Sequence, residues 1–320
     1  MNISVVISTY NRAFILKKIL KSLVNILPKN NNLEINICDS SSIDGTRKIK
    51  NRFLRINKNV KIKYYNINKN ILSSKRNFGI SKSSYKNIIL LDDDCVPKKN
   101  FLLNYISDFK KIDFSTILCG IVEYNSNYLK KSAYLRFRNS RHFKLADNQD
   151  LEPKFIVAMN MGFKINKKNK NLLKFNEKFL GYGFEDYEFA FRMKKNKFNL
   201  KKSQATIIHD EGRPIFSRYL KKYFYLGRDG MRDLLIINNK AAKETIYYKF
   251  ENNLFYKIIF NSKIVNLPVI LLEKILIILD KYKLISSPIF YNFARFLVYT
   301  RGYMNREKTS LKKERFNWYE

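Results

Sequence analysis

The chain has 320 residues, of which 62 are Lys or Arg and 27 are Asp or Glu, giving a formal net charge of +35 and a pI near 10.0. Hydrophobic residues make up 45% and aromatics 15%, which excludes a disordered polyelectrolyte, and the length suits one large domain with an appendage. Such a surplus calls for anionic partners, and composition alone leaves nucleic acid, an anionic membrane surface and phosphorylated ligands open.

From the N-terminus, Ile3 to Ser8 reads as a buried strand and Ala13 to Leu27 as a helix with apolar residues at helical spacing. Next come a strand at Leu33 to Cys38, a Ser-rich turn, a helix through Thr46 to Ile56 and a strand near Val60 to Tyr65. A helix around Arg76 to Ser83 and a strand at Asn87 to Leu91 complete a βαβαβαβ order. Alternation of this kind predicts a mostly parallel, doubly covered sheet with ligands beyond the carboxyl ends of its strands. Further strands are expected at Ser115 to Val122 and Phe155 to Met161, separated by the basic stretch Leu135 to Lys144. From Phe216 the texture changes to amphipathic helices rich in Tyr, Phe, Ile and Lys, so a boundary is placed near residue 215.

Cys38, Cys95 and Cys119 form no CxxC pair, and their odd number argues against a disulfide framework and for a reducing compartment; Cys95 and Cys119 read as small buried residues rather than nucleophiles. The opening MNISVVISTYNR enters an apolar run at once, with neither a charged leader nor a cleavage site. The apolar stretch Ile264 to Leu279 is interrupted by Asn266, Pro268, Glu273 and Lys274 and falls short of a membrane span. A cytosolic protein is expected, with attachment to the cytoplasmic face of a membrane left open.

Polar clusters follow the strands: Thr9-Tyr10-Asn11-Arg12, then Asp39 to Thr46, then Asp92-Asp93-Asp94. Three carboxylates at the mouth of a buried strand repel one another and are tolerated where a divalent cation is held; a solvated acidic turn is the plainer alternative. A second acidic group, Glu185-Asp186, opens a helix after Gly181-Tyr182-Gly183, where carboxylates are also ordinary partners of the helix dipole. His209 closes the strand-like run Ala205 to Ile208, and an imidazole added to Asp92 and Asp94 would suit Mn²⁺ or a similar metal. His142 lies in the basic loop without an assignable partner.

The order of these motifs resembles the family 2 glycosyltransferases of the GT-A type over about residues 3 to 215. The resemblance is carried by VVISTYNR, CDSSSIDGT, SSKRNFGI, LLDDDCVP, FIVAMNMGF and GYGFEDYEFAFRM. Glu-Asp followed by a histidine is similar to the chondroitin-polymerase and β-1,4-galactosyltransferase version of the site. The resemblance implies a Rossmann-like GT-A catalytic domain over 1–215 and a divalent cofactor, Mn²⁺ or Mg²⁺; residues 216–320 lie largely outside it and are read from their texture as a helical extension. It implies that Thr9, Tyr10, Arg12, Asp39, Arg76, Asp92 and Asp93 bind the nucleotide, with Asp39 accepting from the uracil N3–H. Asp94 and His209 would hold the metal, which offsets charge on the departing diphosphate. Asp186 would act as the base, Glu185 would hold a sugar, and Asn160 and Tyr182 would line the acceptor side. Two departures stand out: Ser40-Ser41-Ser42-Ile43 replaces the usual nucleotide-loop sequence, and Phe184 stands where related sites often carry glycine.

In the last third, Arg218, Lys221, Lys222 and Arg228 alternate with aromatics, and Leu254 to Phe260, Val265 to Leu279 and Ile289 to Val298 offer apolar faces bordered by basic residues and Tyr. Such helices suit a membrane interface, a cap on the catalytic domain or a dimer surface. The functional expectation is an inverting, metal-dependent transferase moving sugar from a UDP-sugar to a glycan or lipid-linked glycan acceptor in cell-surface polysaccharide synthesis. The alternatives are a non-catalytic basic polyanion- or membrane-binding protein on a decayed transferase scaffold, and a retaining transferase. No specific nucleic-acid partner is expected, because no helix-turn-helix, zinc-finger or RNP-type pattern is visible.

Overall fold

The computed structural model describes residues 1–49, 58–141, 150–212, 214–251 and 266–306. It forms two compact units, residues 1–125, 142–177 and 189–212 in the first and residues 126–141, 178–188 and 213–320 in the second. The division is interleaved where the sequence suggested one boundary near 215. The reason is side-chain packing: Tyr134 and Phe137 join Phe216, Tyr219 and Tyr291 in the core of the second unit.

The first unit carries β1 (Asn2–Thr9), α1 (Ala13–Asn25), β2 (Asn32–Asp39), α2 (Thr46–Ile49), β3 (Val60–Asn66), α3 (Leu72–Ser81), β4 (Asn87–Asp92) and β5 (Cys95–Pro97). It continues with α4 (Phe101–Lys111), β6 (Thr116–Tyr124), β7 (Asn160–Lys164) and β8 (Asn199–His209); helix α7 (Glu185–Lys195) enters this unit at Phe189. The expected α2 extension to Ile56 and His142 lie outside the described residues.

The strands form one sheet in the order β3-β2-β1-β4-β7-β6-β8-β5. Pairs β1–β2, β2–β3, β1–β4 and β6–β8 are parallel, while β4–β7, β6–β7 and β5–β8 are antiparallel. Both faces are covered, which is why the strands read as continuous apolar runs. Ile3, Val5 and Ile7 of β1 meet Leu16, Ile19, Leu20 and Leu23 of α1 on one side. Val6 and Leu90 pack with Ile80 of α3 and with Phe189, Ala190 and Met193 on the other. Helix α3 approaches β1 so closely that a Cβ on Gly79 would stand 2.2 Å from Val6 Cγ1, so only glycine fits.

Two assignments differ from the sequence expectation. Strand β7 begins at Asn160, not Phe155, because a short 3₁₀ turn at Pro153–Phe155 intervenes and Asn160 is the first residue registered with Leu91 of β4. Helix α4 was not anticipated; Phe101, Leu102, Tyr105 and Phe109 give it a buried face at helical spacing.

The second unit contains α5 (Ser126–Lys131), α6 (Ala133–Ser140), the start of α7 and α8 (Phe216–Tyr225), which leads into a π-helical turn at Leu226–Gly230. Helices α9 (Met231–Ile237), α10 (Asn239–Glu244), α11 (Ile246–Glu251), α12 (Asn266–Lys281) and α13 (Pro288–Met304) follow. Its core joins Phe216, Tyr219 and Leu220 to Val269 and Leu276 of α12 and to Tyr291, Ala294, Leu297 and Val298 of α13. The apolar stretch Leu254 to Phe260 lies outside the described residues, among which no helix is long and apolar enough to cross a membrane.

Candidate active site

In the first unit, four strands deliver their last residues to one end of the sheet. Parallel register sets Thr9 beside Asp39 and Ser8 beside Asp92. The loops after β1 and β2 are laced together: the Asn11 N–H donates to Ser42 Oγ at 2.7 Å and the Ile43 N–H to Asn11 Oδ1 at 2.9 Å. Asp44 accepts from the N–H groups of Ala13 (2.8 Å) and Thr46 (3.1 Å), so one carboxylate fixes the starts of α1 and α2. Asn11 and Ser41 sit at φ 50° and 62°, a left-handed conformation that short polar residues tolerate at a turn.

Asp39 is fully buried and works within this loop. Its carboxylate accepts from the Ser42 N–H at 3.0 Å and from the hydroxyls of Ser42 and Tyr64. The substituted sequence Ser40-Ser41-Ser42 therefore supplies its own partners to the aspartate expected to read the base, and Tyr64, which the sequence did not single out, supplies another.

The Asp92–Asp94 run is compensated by cations from separate elements. Arg76 of α3, 3% exposed, donates to Asp92 Oδ1 at 3.2 Å and lies 5.3 Å over the ring of Phe175. Lys75, its neighbour, is 5% exposed and donates to the Thr9 carbonyl at 3.1 Å and Asn70 Oδ1 at 3.2 Å. Burial pushes the Lys75 ammonium pKa below its ordinary value, opposed by the charges of Asp93, Asp39 and Asp92. Lys75 was missed from sequence; a lysine at the fourth position of a helix has no signature of burial until α3 is docked on the sheet.

Asp94 meets His209 because β5 and β8 pair antiparallel, with Cys95 opposite His209. His209 Nε2 lies 3.4 Å from Asp94 Oδ1 and 3.4 Å from Glu211 Oε1, and Arg12 Nη2 is 3.9 Å from Asp94 Oδ2. Burial would raise the Asp94 pKa, but His209 and Arg12 outweigh it and hold the carboxyl well below the carboxylate range. Asp93, whose Oδ2 accepts the Tyr10 N–H at 3.4 Å, moves the other way, raised by burial and by the charge of Asp94. A proton taken up by the pair therefore goes to Asp93, leaving Asp94 as the anionic member.

The donor set around Asp94 fits a divalent cation. Ligand atoms of Asp94, Cys95 and His209 lie within 4.8 Å of one another. Burial and the adjacent carboxylates push the Cys95 thiol well up, so it stays protonated at neutral pH and is a poor ligand. Asp94 and His209 remain, with Glu211 as a further carboxylate that the sequence reading passed over. Oxygen and imidazole donors suit Mn²⁺. Cys119 is likewise free and buried, as expected of a packing residue, and so is Cys38.

Asn160 requires a correction. It is fully buried, and its amide is engaged inside the protein: Nδ2 donates to the carbonyls of Ile121 (3.1 Å) and Ala205 (2.9 Å), and Oδ1 accepts from the Tyr105 hydroxyl at 2.7 Å. It ties β7 to β6, β8 and α4, and it does not line an acceptor site.

Tyr182, Glu185 and Asp186 belong to the second unit. The Leu180 and Gly181 N–H groups donate to Asp233 Oδ2 at 2.9 and 2.8 Å. Asp233, with no exposed surface, also binds Arg232, while Arg228 chelates Asp229 at 2.9 and 3.0 Å. A Cβ on Gly181 would stand 2.4 Å from Asp229 Cβ, which accounts for the glycine. Gly183 and Phe184 adopt φ 85° and 67°; the second is a strained state for a bulky residue and gives a physical reason for glycine at this place in related sites. The Phe184 ring meets Tyr187 and Tyr247 edge-on. Glu185 and Asp186 then begin α7, where Glu188 is buried and accepts from Asn238 at 3.2 Å. The repeated Arg-Asp of Arg228-Asp229 and Arg232-Asp233 was the available sequence signal for this clamp.

Residues 4–171 match the glycosyl transferase family 2. The chain belongs to that family. This family 2 chain is 26% identical over 143 residues to an uncharacterised glycosyltransferase, MG060, of Mycoplasma genitalium, a match covering 43% of the chain and 48% of the relative. It thus spans about half the length of the curated relative it matches. Among solved structures, S. aureus TarS residues 1–349 in complex with UDP-GlcNAc superposes at a TM-score of 0.53 and 14% identity, covering 95% of this chain and 90% of that one. The Pyrobaculum calidifontis mannosyltransferase PcManGT, in complex with GDP-Man and Mn²⁺, superposes at 0.55 and 12%, covering 93% and 86%. These likenesses establish a GT-A-like fold.

Proposed function

We propose that this protein is an inverting glycosyltransferase that moves a sugar from a UDP-sugar to a glycan or lipid-linked glycan acceptor in cell-surface polysaccharide synthesis. The observation that carries the reading is the convergence of Asp92, Asp93, Asp94 and His209 at the carboxyl ends of the strands in a family 2 chain. TarS holding UDP-GlcNAc and PcManGT holding GDP-Man and Mn²⁺ on similar folds support a nucleotide-sugar donor and a divalent metal.

In this reading Thr9, Tyr10, Arg12 and the Asp39 loop border the nucleotide, and Arg76 fixes Asp92 beside it. The charges of Asp93, Asp39 and Asp92 favour the charged form of Lys75, which would lower the repulsion that an incoming diphosphate meets. Asp94 and His209, joined by Glu211, would hold Mn²⁺ or Mg²⁺. When bound, the cation supplies charge neutralisation of the departing diphosphate. Asp186 takes the proton from the acceptor hydroxyl as Glu185 and Tyr182 hold a sugar, and attack opposite the leaving group inverts the anomeric centre. Residues 1–215 are proposed as the catalytic region and 216–320 as a basic extension that brings the enzyme to the cytoplasmic face of an anionic membrane.

The test is UDP release from a panel of UDP-sugars with and without Mn²⁺ or Mg²⁺, with product anomericity read by NMR. Turnover should require the metal and vanish in Asp94→Ala and Asp186→Asn. Undiminished turnover in both variants would remove this mechanism, and a retained anomeric configuration would remove inversion.

A further inference from the structure

Helices α12 and α13 are amphipathic in a way that leaves one face without a partner among the described residues. The inner face of α12 sends Val269 and Leu276 into the core of the second unit. On the outer face, Leu267, Leu271, Ile275, Ile278 and Tyr282 are 76%, 60%, 43%, 51% and 66% exposed. At about 100° per residue these five positions fall within a stripe roughly 80° wide. Leu284 in the connecting turn and Ile289 and Phe293 at the start of α13 are also exposed. Single exposed apolar residues are ordinary; eight along two consecutive helices are not.

Charge is sorted just as sharply. Both carboxylates of α12 are held by α13, Glu273 by Arg301 at 2.7 Å and Asp280 by the Tyr291 hydroxyl at 2.6 Å. Lys274, Lys281 and Lys283 are all exposed, and Lys274 and Lys281 fall within about 40° of the apolar stripe on the same helical geometry. The outward surface of this segment therefore combines apolar side chains with cations, while its acids are neutralised inside.

We infer that the outer face of α12 and the start of α13 is a docking surface for an anionic lipid bilayer, with the apolar stripe entering the headgroup layer and the three lysines resting on acidic headgroups. The inference rests on the membrane attachment proposed above and assigns it to named residues. Two properties of the face select this occupant. A second copy seated on the same face would bring two sets of lysines together with no carboxylate to receive them. An anionic bilayer accepts both parts at once, since buried apolar area and lysine attraction act together at such an interface. Long lysine side chains can lay their methylene stems along the apolar stripe while their ammonium groups stay at headgroup level. Neither helix is long and apolar enough to span, so the mode is attachment in the plane of the surface.

The experiment is flotation of the full-length protein with phosphatidylcholine vesicles, with and without phosphatidylglycerol, read beside light scattering and donor hydrolysis in vesicle-free buffer. The wild type should float with phosphatidylglycerol vesicles and at least tenfold less with phosphatidylcholine alone, and the difference should shrink as salt is raised. Leu271→Asp with Ile278→Asp should abolish flotation, and Lys274→Gln with Lys281→Gln should weaken it on anionic vesicles alone. Leu271→Trp, made together with Trp318→Phe so that the introduced indole is the single emitter, should shift its emission to the blue on binding, a readout that depends on insertion at this position. Unchanged flotation of the double aspartate variant, or no shift at Trp, would overturn the assignment. A dimer dissolved by the same aspartates would overturn it in favour of a second copy. Donor hydrolysis should be equal in all these variants, so failure of the membrane surface and failure of the transferase reading are separately visible.

Discussion

Asp92–Asp94 and Glu185–Asp186 are both short acidic runs, yet they are held in place by different forces. The first ends a central strand, and its charges are answered one by one from other elements: Asp92 by Arg76, Asp94 by His209 and Arg12, with Lys75 buried nearby. The second opens a helix from a loop whose backbone is clamped by Asp233 and by the close approach of Asp229 to Gly181. Side chains changed in the first run alter the local field while the strands that carry them remain. A change in the clamp of the second moves backbone. One region is tuned electrostatically and the other conformationally.

The largest effect expected is on chemistry in the first region. Asp94→Ala should lower UDP release by more than about 100-fold while the protein still folds, with the unfolding transition displaced by only about 1–2 kcal/mol, because the lost pairing with His209 and Arg12 is partly offset by weaker repulsion on Asp93. Loss of folding in that variant would erase the contrast. Asp233→Ala should do the reverse, destabilising by about 3–5 kcal/mol in denaturant unfolding, since it strands the buried Arg232 and two loop N–H groups. A variant of normal stability would show that the clamp does not fix the loop.

Glu34 sharpens the electrostatic side away from the catalytic end. It is 1% exposed at the start of β2; burial raises its pKa, but Lys63, Ser4 and Ser84 outweigh that and lower it to about 2. A depressed folded-state value means that its contribution is complete above about pH 4.5 and is lost as pH falls through about 2. Because Lys63 is partly exposed, the contribution is put at ~2 kcal/mol after allowance for screening. Stability measured from pH 6 to pH 2 should fall less steeply in Glu34→Gln than in the wild type; parallel curves would remove the compensation. The smallest effect concerns Asn160→Leu, which should cost about 1–3 kcal/mol through three lost buried hydrogen bonds while leaving KM for donor and acceptor within twofold. A large rise in acceptor KM with unchanged stability would restore the sugar-side role.

Much of the first unit was legible in the order of its residues. Apolar runs of strand length, each ending in polar residues, announced β1, β2 and β4 and the side of the sheet to inspect. The acidic run at β4 and the Glu-Asp start of α7 were visible as charge in unusual places. Asn160 misled because a buried amide and a ligand-binding amide look alike in one dimension; only the positions of Tyr105, Ile121 and Ala205 distinguish them. Lys75 was hidden for the converse reason, since a lysine among so many lysines gives no hint that its ammonium is enclosed.

The sequence by itself therefore determined the alternation of elements, the family and the chemical types present at the strand ends, because hydrophobic periodicity and strand polarity are local properties. Tertiary structure decided which charges meet. The antiparallel pairing of β5 with β8 brings His209 to Asp94, the docking of α3 buries Lys75 and Arg76, and the π-helical turn with α9 fixes the loop before Glu185. It also decided which way α12 faces, turning its acids inward and leaving its lysines beside an open apolar stripe. Each of these depends on contacts between residues far apart in the chain, and Coulomb and burial energies are set by those separations in space.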